Sequence, residues 1–128
     1  MFNSRLKQEL AHCQQQFSDA SATLAALGRS MALIEFKPDG TILDANNNFL
    51  SLMGYTLEEV RGQHHRLFCE QGLSNSREYT EFWRRLASGE FVSERFLRRD
   101  KQGREIWLEA SYNPVLSASG QVDKVVKI

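Results

Sequence analysis

An α+β fold is the class predicted by this 128-residue sequence. Three observations carry the prediction. Two short strands come first, a block of short helices follows, and three meandering strands close the chain, so the βαβ alternation of a parallel sheet is absent. The length leaves room for one compact domain and little else. A change of hydrophobic period near residue 28 sets an N-terminal helix, residues 1–28, apart from that domain, residues 29–128.

In the helix, Leu6, Leu10, Cys13, Phe17, Ala20, Leu24 and Leu27 recur at alternating steps of four and three, the a/d seam of a coiled coil. Lys7, Glu9, Gln14, Gln15, Gln16 and Asp19 form the solvated face between them. A helix that packs on its own domain carries a wider apolar stripe. The narrow seam therefore points to a homodimer through this helix, with Leu6, Leu10, Cys13, Phe17, Leu24 and Leu27 at the interface. Gly28 is the predicted helix end.

The apolar run Met31 to Phe36 suits a buried strand. Lys37-Pro38-Asp39-Gly40 is turn chemistry, and Thr41 to Ala45 is the returning strand. Asn46 is placed to cap a short helix that Gly54 ends, and Thr56 with Glu59 has capping-box spacing. His64 to Cys69 reads as one helical turn and the residues through Ser76 as loop. Tyr79, Phe82, Trp83 and Leu86 lie on one face of a helix from about Arg77 to Ala87. A strand from Phe91 to Arg99 leads into the turn Asp100-Lys101-Gln102-Gly103. Ile106, Leu108, Ala110 and Tyr112 then alternate with Glu105, Trp107, Glu109 and Ser111 in a strand that Pro114 is expected to cap. Gln121 to Ile128 is the last strand.

Composition narrows the function classes. Hydrophobic residues at 41% and charged residues at 25% describe a soluble globular chain. Sixteen Lys and Arg against sixteen Asp and Glu give no electrostatic case for nucleic acid or an anionic membrane. No apolar run reaches membrane-spanning length and no signal-peptide core opens the sequence, so a cytoplasmic location is expected. Two cysteines without a CxxC pair supply neither a disulfide scaffold nor a zinc finger. No GxSxG, HExxH or P-loop signature is present, and the chain is not expected to be an enzyme.

The hairpin GTILDAN, the stretch NFLSLMGYTLEEVRGQHHRLFC, the block EYTEFWRRLASGEF and the run RRDKQGREIWLEASYNPV, in this order, resemble a PAS domain. They are most similar to the PAS domains of bacterial methyl-accepting chemotaxis receptors of the aerotaxis type. The resemblance covers residues 31–128. It implies a five-stranded antiparallel sheet with helices packed across one face and a pocket between them. It also implies a sensor of redox or oxygen state or of a small ligand, which passes its signal to a downstream signalling domain of the same polypeptide. A ligand-free dimerisation module is the alternative.

Two cofactors come with the resemblance. Haem b would be held through a histidine on the helical side of the pocket, where His64 and His65 lie, with Trp107 over the distal face. FAD would sit against a tryptophan of the long helix, where Trp83 lies. The asparagine that FAD-binding relatives carry on the next strand has no counterpart, because that position falls near Arg98. An empty interior filled by the chain's own aromatic residues stays open beside both. The expected cavity is lined by His64 to Cys69 and the Trp83 face, opposite Trp107 and Leu108.

Overall fold

The computed structural model describes residues 2–128. The chain divides into two compact units, Met1–Met31 and Ala32–Ile128. In the first, α1 spans Phe2–Ser30 and outlasts its predicted end. Gly28 is not at positive φ, and the Met31 amide still donates to the Leu27 carbonyl at 3.0 Å, so the last turn closes beyond the glycine. Leu6, Leu10, Phe17, Leu24, Leu27 and Cys13 are all exposed on this helix.

The second unit runs β1 (Ile34–Phe36), β2 (Ile42–Ala45), α2 (Asn47–Met53), α3 (Leu57–Val60), a single 3-10 turn (His65–Phe68), α4 (Gln71–Ser74), α5 (Arg77–Ala87), β3 (Val92–Arg99), β4 (Glu105–Leu116) and β5 (Val122–Lys127). The strands form one antiparallel sheet in the order β2-β1-β5-β4-β3. The N-terminal hairpin and the C-terminal meander thus meet at β1 and β5, and the helices between them cover one face.

Local chemistry fixes most boundaries. The Asn46 side chain accepts from Phe49 N at 3.0 Å to start α2, and Gly54 at φ 78° ends it. Thr56 and Glu59 complete a reciprocal capping box on α3. Ser76 caps α5 through Tyr79 N. The unpredicted turn of α4 begins at Glu70 without a side-chain cap, and this is why it carried no signal.

Pro114 does not end β4. Pairing with β3 stops at Val92↔Tyr112, whereas pairing with β5 continues through Pro114↔Val125 to Leu116↔Val122. Beyond Tyr112 one side of β4 is a free edge, where a missing N–H leaves no ladder bond unmade. The core under the sheet comprises Ile34, Phe36, Ile42, Met53, Phe68, Leu86, Tyr112 and Val125, all at most 1% exposed, with Phe49, Tyr79, Trp83 and Phe96 beside them.

Gly40 and Gly103 both sit at positive φ, yet they differ in surroundings. A Cβ on Gly40 would lie 2.6 Å from His64 Nε2 and 3.0 Å from Trp83 Cε2, whereas Gly103 faces open space. Gly103→Ala should therefore cost about 1 kcal/mol from backbone strain alone. Gly40→Ala should cost roughly 2–4 kcal/mol, because strain and collision add. Urea unfolding of the two variants checks this, and equal losses would show that the turn yields freely around His64.

Candidate functional site

His64 and His65 are neighbours in sequence with opposite environments. His64 is extended and caps the 3-10 turn: its Nδ1 accepts from Arg66 N and Arg66 Nε, each at 3.1 Å. Nε2 must then carry the proton, which it donates to the Asp39 carbonyl at 2.8 Å. The ring is half-buried in a cleft of about 190 Å³ shared with Asp39, Tyr79 and Trp83. Burial lowers its pKa.

His65 opens the 3-10 turn and points the other way, into the core, with no solvent exposure. Its Nδ1 lies 2.7 Å from the Tyr79 hydroxyl on α5, and its Nε2 lies 2.8 Å from the Tyr112 hydroxyl on β4. Rings of Phe36, Phe82 and Trp83 surround it, with centroids 5.3 to 6.1 Å away. Burial, reinforced by the charges of Arg98 and Lys127, holds its pKa well below the usual range, so the ring is neutral near pH 7.

The hydrogen bonds assign the tautomer. Arg98 Nη2 donates to the Tyr112 hydroxyl at 3.1 Å. Tyr112 is fully buried, so its own proton needs an acceptor inside the protein, and His65 Nε2 is at hand. Nδ1–H then donates to Tyr79, whose own proton is directed at the neighbouring Cys69 sulfur. A directional chain results: Arg98 to Tyr112 to His65 to Tyr79, joining β3, β4, the 3-10 turn and α5. Cys69, one helical turn after His65, adds a buried thiol 3.9 Å from the His65 carbonyl. Burial pushes that thiol up in pKa, away from thiolate chemistry.

Two further features of the interior were missed in the sequence. Arg98 is 4% exposed and Lys127 is 4% exposed. Lys127 Nζ stands 5.1 Å over the Tyr112 ring and 5.7 Å over Phe49, and burial brings its pKa down to about 7. Period-two alternation could have found both cations. Arg98 shares its strand parity with Phe96, and Lys127 shares its parity with Val125.

Trp107 is a correction. It is 60% exposed and carries the Arg95 guanidinium 5.2 Å over its ring. Ile106, Leu108, Ala110 and Tyr112 take the inward parity of β4, which sends Trp107 to the opposite face, remote from His64, His65 and Trp83.

The residues present do not fit haem ligation as the sequence suggested. Both nitrogens of both imidazoles are engaged, and an axial bond would have to break one of these contacts. A flavin finds one suitable donor, because Trp83 Nε1 is buried without a hydrogen-bond partner. The clefts beside the cluster measure about 190 to 230 Å³ each, below the roughly 300 Å³ at which sites for drug-sized ligands begin. Among the described residues, no group of three or more His, Cys, Asp or Glu side chains is arranged to hold a metal ion, and no helix is long and apolar enough to cross a membrane.

Residues 42–128 match the family model described as PAS fold. The chain is 49% identical over 112 residues to the biofilm dispersion protein BdlA of Pseudomonas aeruginosa, an alignment that covers 88% of this chain and 27% of that protein. The chain thus spans about a quarter of the curated relative's length. Among solved structures, it superposes on a light-oxygen-voltage domain studied with a flavin analogue at TM-score 0.68 and 23% identity, covering 83% of this chain and 81% of that one. A domain of a sensory box sensor histidine kinase/response regulator from Geobacter sulfurreducens superposes at TM-score 0.68 and 21% identity, covering 84% and 90%. At these identities the structural likeness speaks for the fold.

Lys127 makes the stability depend on pH. Below about pH 7 the amine is charged in both states and its burial is unfavourable. Above that value the folded amine is neutral, while the unfolded one keeps its proton until about 10.5, so stability climbs with pH. Tyr79 and Tyr112, held neutral by burial, oppose the trend only at higher pH. Between pH 7 and 9 the wild type should gain about 2–3 kcal/mol relative to Lys127→Met. Urea unfolding across that range checks it, and parallel curves would place the amine in water.

Proposed function

The chain belongs to the PAS-fold family, and from that premise we propose that it is the sensor module of a longer, chemotaxis-type signal transducer. In this reading a small ligand or a prosthetic group reporting redox or oxygen state acts on the interface between helices and sheet. The altered packing then passes to a downstream signalling domain. The module is non-catalytic and works in the cytoplasm.

One observation supports the reading most: two buried donors, Arg98 Nε at the head of the polar chain and Trp83 Nε1 beside it, have no hydrogen-bond partner. Cores rarely leave buried donors unpaired, and an incoming acceptor would satisfy them. Signalling then needs only that the acceptor bind one packing of the helices better than another.

Of the two cofactors, flavin is the better match, since a flavin carbonyl would suit the Trp83 indole, whereas His64 and His65 have no nitrogen to spare. A light-oxygen-voltage neighbour studied with a flavin analogue is consistent with this choice. Protein purified from cells supplied with riboflavin and a haem precursor should show bands at about 370 and 450 nm. These should survive His64→Ala and fall on Trp83→Ala. A band at about 400 nm lost on His65→Ala would contradict the assignment.

The ligand-free alternative draws on the exposed α1 seam. Both readings share a homodimer through Leu6, Leu10, Cys13, Phe17, Leu24 and Leu27. Seven a/d positions in register are enough to pair two helices of this length. Sedimentation of a chain beginning at Arg29 should show monomer, or a dimer weakened at least about tenfold. An unchanged dimer would move the interface elsewhere.

A further inference from the structure

We infer that the cleft over Arg98 is a binding site for a small organic monocarboxylate with an apolar body, the acid group meeting the Arg98 guanidinium. The cleft, of about 220 Å³, is lined by Tyr79 and Phe82 of α5, by Phe96 and Arg98 of β3, and by Leu73, with Glu78 and Glu94 beside them.

Three observations carry this. The first is the state of the guanidinium. Nη1 donates to the Leu97 carbonyl at 3.2 Å and Nη2 to the Tyr112 hydroxyl at 3.1 Å, while Nε is buried and unpartnered. A carboxylate is the acceptor whose two oxygens match adjacent N–H groups of a guanidinium.

The second is the charge of the interior. Arg98 and Lys127 both converge on Tyr112, yet neither forms an ion pair among the described residues. Asp100 is the one buried carboxylate among the described residues. It is committed to Arg104 Nε at 2.9 Å and to the amides of Gln102 and Arg104. Arg98 is therefore a buried cation without a counter-ion, joined by Lys127 only while that amine is protonated, a costly state that an anion relieves.

The third is the shape and lining. The aromatic walls suit a hydrocarbon body, and the small volume restricts its size. Glu78 and Glu94 flank the opening and are exposed. Their charges are screened by water, so they weigh little against one carboxylate held at depth, but they disfavour a second anionic group on the ligand. That asymmetry selects a monoanion over a dicarboxylate or a phosphate.

The site deepens the sensor reading and depends on it only for what binding does afterwards. A colourless chain that binds the acid upholds this inference and removes the flavin; a yellow chain that ignores the acid does the reverse. The probes are 3-phenylpropionate and its neutral amide, titrated by calorimetry into the full chain. The acid should bind at least about tenfold more tightly than the amide, and Arg98→Met should abolish the difference. Because Arg98→Met could disturb folding, the Arg98 Nε–Hε resonance of the wild type is followed as well, and it should shift with the acid and stay still with the amide. Equal binding of acid and amide, no heat and no resonance shift with the acid at about 10 mM, or undiminished acid binding by a folded Arg98→Met chain would each overturn the proposal.

Discussion

The His65 imidazole, held between the hydroxyls of Tyr79 and Tyr112, is the interaction on which the rest of this domain depends. One ring ties the 3-10 turn to α5 on one side and to the middle of the sheet on the other. Its two nitrogens are the only polar atoms it has, and both are satisfied by phenols that are themselves fixed in aromatic packing. Removing the ring would take from Tyr112 the acceptor of its proton and from Tyr79 a donor, a larger loss than the area it occupies would suggest. The same contact explains why a histidine can lie in a core of phenylalanines at all: neutral and doubly bonded, it behaves as a polar aromatic spacer.

Because Tyr112 also accepts from Arg98 and lies under Lys127, the chain of contacts ends on two buried basic groups. Burial with nothing opposite is tolerated here through cation–π contacts, Lys127 over Phe49 and Tyr112 and Arg98 over Phe96. These contacts offset part of the desolvation and leave the guanidinium Nε unmatched. An acceptor that settled this imbalance better in one packing of the helices than in another would shift the population toward it in proportion to its differential affinity.

Much of this was legible in the sequence, and the exceptions have physical causes. Caps and turns were read correctly at Asn46, Gly54, Thr56 and Gly103 because a side chain or a backbone preference acts there within four residues. The order of elements followed from periodicity. Gly28 and Pro114 misled, since each breaks a rule that its surroundings suspend: a glycine within one turn of a helix end still propagates the helix, and a proline on the free side of β4 forfeits no bond. Trp107 was assigned by residue type against its own strand parity, and parity won. Arg98 and Lys127 were passed over for the opposite reason, because charges on a strand read as solvated even when they share the apolar face. His65 could be placed on the helical side of the domain, but its two tyrosine partners lie 14 and 47 residues away, a pairing that only the closed sheet creates.

The hydrogen-bonded chain is tested most directly by the protonation state of His65, read from its ring nitrogen resonances as the pH is lowered from about 8 to 5. The Arg98–Tyr112–His65–Tyr79 chain requires a neutral His65 ring throughout, with Nδ1 carrying the proton and Nε2 accepting, while His64 shows the opposite tautomer. A His65 ring that titrates near its ordinary value, or that carries its proton on Nε2, would contradict the Arg98–Tyr112–His65–Tyr79 chain at its centre.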